Sequence, residues 1–131
     1  MKLTMETIML MQALEKVTGV SAKDCIVEGQ LVSYLVPDGM VGKAIGAKAV
    51  NVKMLEQRLG KKVEIVSYTE KPEEVFAKAM EVNLNNVKTN GNKLIINLDG
   101  AAKENVYKKN SRLRRVKELI SRNFNLELVI N

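Results

Sequence analysis

Gly39-Met40-Val41-Gly42-Lys43-Ala44-Ile45-Gly46-Ala47-Lys48-Ala49-Val50-Asn51-Val52 is the most informative stretch of the 131-residue chain. Met40 to Ile45 reads as a short helix and Gly46 to Ala49 as a break. Val52, Leu55 and Leu59 form the buried stripe of a second helix that Gly60 closes. Two short helices meeting at a tight turn of small residues suit a phosphate. Backbone N–H groups at a helix start and an adjacent lysine attract the anion, and a residue without a side chain lets a sugar-phosphate backbone come close. The stretch is not a nucleotide P-loop: Gly39 and Gly42 stand too close together, and Ala44 follows Lys43 where a magnesium-binding Ser or Thr is needed. A dinucleotide-binding glycine pattern fails as well.

Upstream, Ile8, Met11 and Leu14 have helical spacing, and Thr18-Gly19 supplies a stop. Cys25-Ile26-Val27-Glu28 and Leu31 to Val36 flank Gly29-Gln30 as a hairpin, and Pro37-Asp38-Gly39 ends its second strand. Downstream, Lys62 to Ser67 is β-branched enough for a third strand. The order is helix, strand, strand, helix, helix, strand.

That order recurs. Pro72, Glu73 and Glu74 start a helix carrying Val75, Phe76, Ala79 and Met80, and strands follow near Asn86 to Thr89 and Leu94 to Leu98. Asp99-Gly100 lies 61 residues after Asp38-Gly39. At the same offset Ile45 matches Val106, Lys48 matches Lys109, Val52 matches Leu113, Leu55 matches Val116 and Leu59 matches Ile120. The apolar register implies an internal duplication, with domains at residues 1–69 and 70–131. The connection near Tyr68 to Lys71 is short and lacks a Gly/Ser-rich stretch.

Composition limits what such a chain can do. Its hydrophobic content of 46% can fill a core, while aromatic residues make up only 4%, so stacking platforms are scarce. The net charge of +6 suggests a polyanionic partner. Lys103 to Arg122 holds eight basic residues against two acidic ones, which equals the whole surplus. One cysteine, Cys25, and no histidine exclude an internal disulfide and a Cys/His zinc site, and fit a reducing cytoplasm. Cys25 reads as core. Met5, Met9 and Met11 are spread around the first helix, so some fill the core and others face a partner, the core role being the favoured one. The apolar run Ile8 to Leu14 is too short for a membrane span and lacks a cleavage signature. No nucleophile stands with a base, and Glu73-Glu74 is explained by a helix start, so an enzyme is not expected.

Ala44-Ile45-Gly46-Ala47-Lys48-Ala49-Val50-Asn51-Val52 resembles the KH signature, an apolar residue before a Gly-x-x-Gly loop with another apolar residue three positions beyond it. The match continues through Leu55 to Val66. With Leu14 to Val20 and the link Glu70 to Phe76, the chain resembles the NusA-like transcription termination factors of archaea. The resemblance implies an α+β protein of two tandem type II KH domains. It also implies binding of single-stranded RNA, the nascent transcript, in transcription elongation, termination or antitermination, with RNA polymerase as a further partner. It calls for no cofactor, metal, membrane or small-molecule substrate. On this sequence the loop is Gly46, Ala47, Lys48 and Ala49, with Lys43 and Lys53 flanking the RNA backbone and Asn51 offering an amide.

The chain departs from that pattern twice. The second loop glycine is Ala49, which costs about 1 kcal/mol or more where φ is positive and little where it is negative. In the second copy the loop becomes Tyr107-Lys108-Lys109-Asn110, with both glycines gone and Asn110 able to hold a left-handed turn. The helix from Ser111 to Arg122 buries Leu113, Val116, Leu119 and Ile120 and turns Arg114, Arg115 and Arg122 outward. Two readings of this copy stand: an electrostatic shelf with Lys108, Lys109 and Arg112 at phosphates, Asn110 and Arg115 also toward RNA and Tyr107 stacking on a base, or a degenerate unit kept for packing or protein contact. For the whole chain the alternatives are a protein-interaction scaffold and a ribosome-associated KH protein.

Overall fold

The computed structural model describes residues 4–131 and divides the chain into two compact units, the first ending at Tyr68 and the second running from Thr69 to Asn131. The first is built from α1 (Met5–Thr18), β1 (Asp24–Glu28), β2 (Leu31–Pro37), α2 (Val41–Ile45), α3 (Val50–Leu59) and β3 (Lys62–Tyr68). The second repeats the series as α4 (Pro72–Met80), β4 (Asn86–Asn90), β5 (Lys93–Asn97), α5 (Gly100–Lys108), α6 (Asn110–Phe124) and β6 (Glu127–Ile130). Each unit therefore holds three strands and three helices in the expected order, an α+β arrangement.

The strand orders are β1-β2-β3 and β4-β5-β6. In each sheet the hairpin is antiparallel and the third strand runs parallel to the central one, with Tyr34 opposite Ile65 and Ile95 opposite Val129. A parallel pair needs a long crossover, and the crossover here is the helix pair containing the Gly46 turn. The turn is thus carried on the connection between a central and an edge strand.

Local chemistry explains the ends of the elements. Thr4 and Thr7 form a reciprocal cap at the start of α1, with the Thr7 N–H donating to Thr4 Oγ1 at 3.1 Å and the Thr4 N–H to Thr7 Oγ1 at 3.0 Å. Gly19 at φ 75° and Gly60 at φ 66° close α1 and α3. Pro72 opens α4 with Glu73 and Glu74 in its first turn. Asp99 caps α5 by accepting from the Ala102 N–H at 2.8 Å, while Asp38 accepts from the Ser67 hydroxyl at 2.6 Å.

The first core gathers Leu10, Leu14, Val20, Cys25, Val32, Tyr34, Val36, Ala44 and Leu55. Tyr34 is fully buried, and its hydroxyl donates to the Leu10 carbonyl at 2.7 Å, tying β2 to α1. Burial, with a smaller contribution from Cys25, pushes that hydroxyl well above its ordinary pKa, so it stays a donor. Tyr34→Phe is expected to cost about 1–2 kcal/mol in urea unfolding, because it leaves the Leu10 carbonyl short of a buried donor. Full stability in that variant would show the bond to be idle.

The methionines of α1 divide between core and surface. Met5 and Met9 are 73% and 60% exposed, and of the three on α1 only Met11 packs against the core. α1 turns Thr7, Leu10, Leu14 and Thr18 inward and leaves Met5 and Met9 outside. The second core takes Val75, Phe76, Met80, Leu94, Ile96, Val106, Leu113, Val116, Leu119 and Ile120.

Candidate nucleic-acid interface

The turn between α2 and α3 is held by its backbone. The Gly46 N–H closes α2 on the Gly42 carbonyl at 2.9 Å, and the Ala49 N–H returns to the Gly46 carbonyl at 3.1 Å. Gly46 sits at φ 78°, ψ 167°, a region that only glycine occupies without strain. Lys48 (φ 53°, ψ 32°) and Ala49 (φ 61°, ψ 28°) follow in the left-handed region, two L-residues in succession. Ala49 thus holds the positive φ at which an alanine is penalised. Ala49→Gly is expected to raise unfolding stability by about 0.5–1 kcal/mol, and an unchanged or lower urea midpoint would contradict the strained turn.

Around this turn Ala47, Lys48 and Lys53 are exposed, and Gly46, Ala49 and Asn51 are half-buried. No side chain caps α3, and its first turn holds no acid, so the positive helix end and Lys48 meet no carboxylate of that turn, while Lys53 has Glu56 one turn further on. Two of the expected site residues make contacts within the protein. The Asn51 amide donates through Nδ2 to the Lys43 carbonyl at 2.8 Å and lies against Gly46, so it braces the turn. The Lys43 ammonium reaches to Gly19, 3.3 Å from where a β-carbon there would sit, and so stands at the C-terminal end of α1. Val50 and Met54, 48% and 51% exposed on α3, are not among the residues expected at the site. Their i, i+4 spacing away from the Leu55 stripe was the available signal.

The second unit has no counterpart of the turn. α5 continues through Tyr107 and Lys108, only Lys109 (φ −99°, ψ 46°) interrupts it, and α6 begins at Asn110. Asn110 is helical and not left-handed, which corrects the expected four-residue loop. Asn110 joins the first turn of α6 instead, and the two helices meet across one residue, Lys109.

Nor do the cations there lie as expected. The Lys109 ammonium pairs with Glu81 at 3.2 Å and donates to the Met80 carbonyl at 3.4 Å, closing the end of α4. Arg115, expected outward, is only 6% exposed, with its guanidinium on the Ser111 hydroxyl. Arg112 is half-buried, its Nε enclosed. Lys108 remains at the surface, 3.7 Å from Glu104, and Tyr107 is 48% exposed beside it. Among the described residues no group of His, Cys, Asp and Glu could hold a metal ion, and no helix is long and apolar enough to cross a membrane.

A glycine-headed turn between two short helices, set on the crossover to a parallel edge strand, defines a KH-type module. The KH domain model matches residues 9–94, and the chain belongs to that family. Its curated relatives are NusA proteins. The chain is 41% identical over 69 residues to the "Probable transcription termination protein NusA" of Methanocaldococcus jannaschii, across 53% of this chain and 38% of the relative. The protein of the same name from Halococcus morrhuae is 39% identical over 66 residues, 50% of this chain and 48% of that one. The chain thus spans less than half the length of the relatives it matches. It is also similar along almost its whole length to the crystal structure of APE1850, with a TM-score of 0.84 and 27% identity over 98% of this chain and 100% of that one. These likenesses mark the chain as a NusA-like KH protein.

Proposed function

We propose that the chain binds single-stranded RNA through two tandem type II KH domains, residues 1–69 and 70–131, and acts on the nascent transcript in elongation, termination or antitermination. The observation that carries this reading is the strained Gly46–Ala49 turn, which sets Lys48 outward at the uncapped start of α3. A phosphate there meets backbone N–H groups, the helix dipole and an unpaired lysine together. Lys53 extends the charge along α3, and Val50 and Met54 offer apolar surface to bases beside it. Asn51 and Gly46 hold the shape. The NusA names of the relatives support the transcriptional setting, with RNA polymerase as the second partner.

The second unit contributes differently in this reading. Lys108 gives a phosphate contact and Tyr107 a face for one base, while Lys109, Asn110, Arg112 and Arg115 maintain the helix junction. The scaffold alternative is favoured by the missing turn in this unit and is separated by salt. Anisotropy with a random single-stranded RNA pool should show log affinity falling with log salt by about 0.7 per phosphate neutralised. Ala47→Asp/Lys48→Asp should weaken binding at least about tenfold, and Lys108→Asp by less. Salt-insensitive binding, or none, would reject the RNA reading in favour of the scaffold.

A further inference from the structure

The two units differ at their first helices. Both end in a left-handed residue, Gly19 in α1 and Glu81 in α4. With these ends aligned, Leu14 falls on Phe76 and Leu10 on Pro72, the first residue of α4. α1, at 14 residues against 9, therefore has an additional stretch, Met5 to Met9, without a counterpart in the repeat. Only Thr7 of those five is buried, and Met5, Ile8 and Met9 are 73%, 38% and 60% exposed. The stretch is ordered by its own cap at Thr4. α4 leaves no large apolar side chain exposed. The added turns thus contribute little to the core and build an apolar stripe on the order of 300 Å².

Beside the stripe, and sharing Ile8 with it, runs a groove of about 190 Å³ lined by Ile8, Met11, Gln12, Glu15, Ser21 and Ala22. Glu15 is its only charged residue, Glu6 stands exposed in the first turn of α1, and the nearest cation on the helix, Lys16, lies past the stripe. Neither the stripe nor the groove is lined by a lysine or arginine, so they offer RNA no phosphate contact. The stripe is also well short of the roughly 800 Å² per partner that a stable dimer buries. Gly19 lies ten positions beyond Met9, about 15 Å along the helix, so the stripe stands apart from Lys43 and the turn beyond it.

We infer that the N-terminal turns of α1 are a docking surface for an amphipathic helix of another protein, whose apolar face covers Met5, Ile8 and Met9 and whose lysine or arginine edge meets Glu15. Methionine side chains adapt to such a face, and the small area makes the contact transient. The surface is independent of the RNA reading, and a molecule carrying both would join a transcript to a protein.

The probe is a fluorescein-labelled 18-residue amphipathic helix of Leu and Lys, with a Leu and Glu helix as control, titrated with the full chain. The Leu/Lys helix should bind wild type at least tenfold more tightly than it binds Met5→Gln/Ile8→Gln/Met9→Gln, and Glu15→Lys should shift preference toward the Leu/Glu helix. Thermal melting and RNA affinity of the triple variant should match wild type, since its side chains are outside the core. Equal binding of wild type and triple variant overturns the proposal. So does sedimentation showing wild-type dimers that the triple variant lacks, or an RNA affinity that falls with the stripe.

Discussion

Gly46→Ala is expected to destabilise the first unit by about 2–4 kcal/mol and to remove most of its salt-sensitive RNA affinity. Two costs combine. At φ 78°, ψ 167° an L-residue is strained by about 1–3 kcal/mol whatever surrounds it. A β-carbon would also lie 2.9 Å from Asn51 Cγ and 3.0 Å from the Asn51 backbone nitrogen. The second contact is with the first turn of α3, so relief requires either moving the helix start or releasing the Asn51 amide from the Lys43 carbonyl. Either response displaces Lys48. Gly42→Ala is the matched control: it lies within α2, has nothing within 4 Å of an added β-carbon, and should gain up to about 1 kcal/mol from helix propensity. Urea unfolding followed by circular dichroism gives both values. A Gly46→Ala protein within about 0.5 kcal/mol of wild type would mean that the turn is not built as described.

The same turn shows how far a sequence carries such a reading. The repeated element order and the helix ends at Gly19, Gly60 and Pro72 were legible because each follows from a local rule of spacing or capping. The Gly46 position was legible too, since few turns join helices in that pattern. The sign of φ at Ala49 was not, because alanine leaves no trace of the conformation imposed on it; only the backbone of α2 and α3 decides that. Asn51 was assigned to a ligand because an exposed-looking amide has no visible partner in a sequence, and its partner is a carbonyl eight residues away. The partners of Lys109 are equally invisible in the sequence. They are Glu81 and the Met80 carbonyl, which lie 28 and 29 residues earlier and meet it only through the fold.

Arg115 carries the second large expectation: Arg115→Ala should cost about 2 kcal/mol or more of stability while leaving the salt dependence of RNA binding unchanged. At 100° per residue Leu113, Ile120, Val116, Arg112, Leu119 and Arg115 follow one another around α6 at steps of about 20–40°. The covered arc is wider than the apolar stripe, and the two arginines complete it with their aliphatic stems. This is why counting apolar residues alone turned Arg115 outward. Removing it deletes that packing and leaves the Ser111 hydroxyl without the guanidinium it now meets. Lys108→Ala provides the opposite signature. Its side chain is 69% exposed and its pair with Glu104 is an i, i+4 surface contact, so stability should change by no more than about 0.5 kcal/mol. If Lys108 meets a phosphate, the slope of log affinity against log salt should shrink by about 0.7. The pair of variants separates support from contact within one helix junction. An Arg115→Ala protein that melts like wild type but loses salt dependence would place that arginine at the RNA and reverse the assignment.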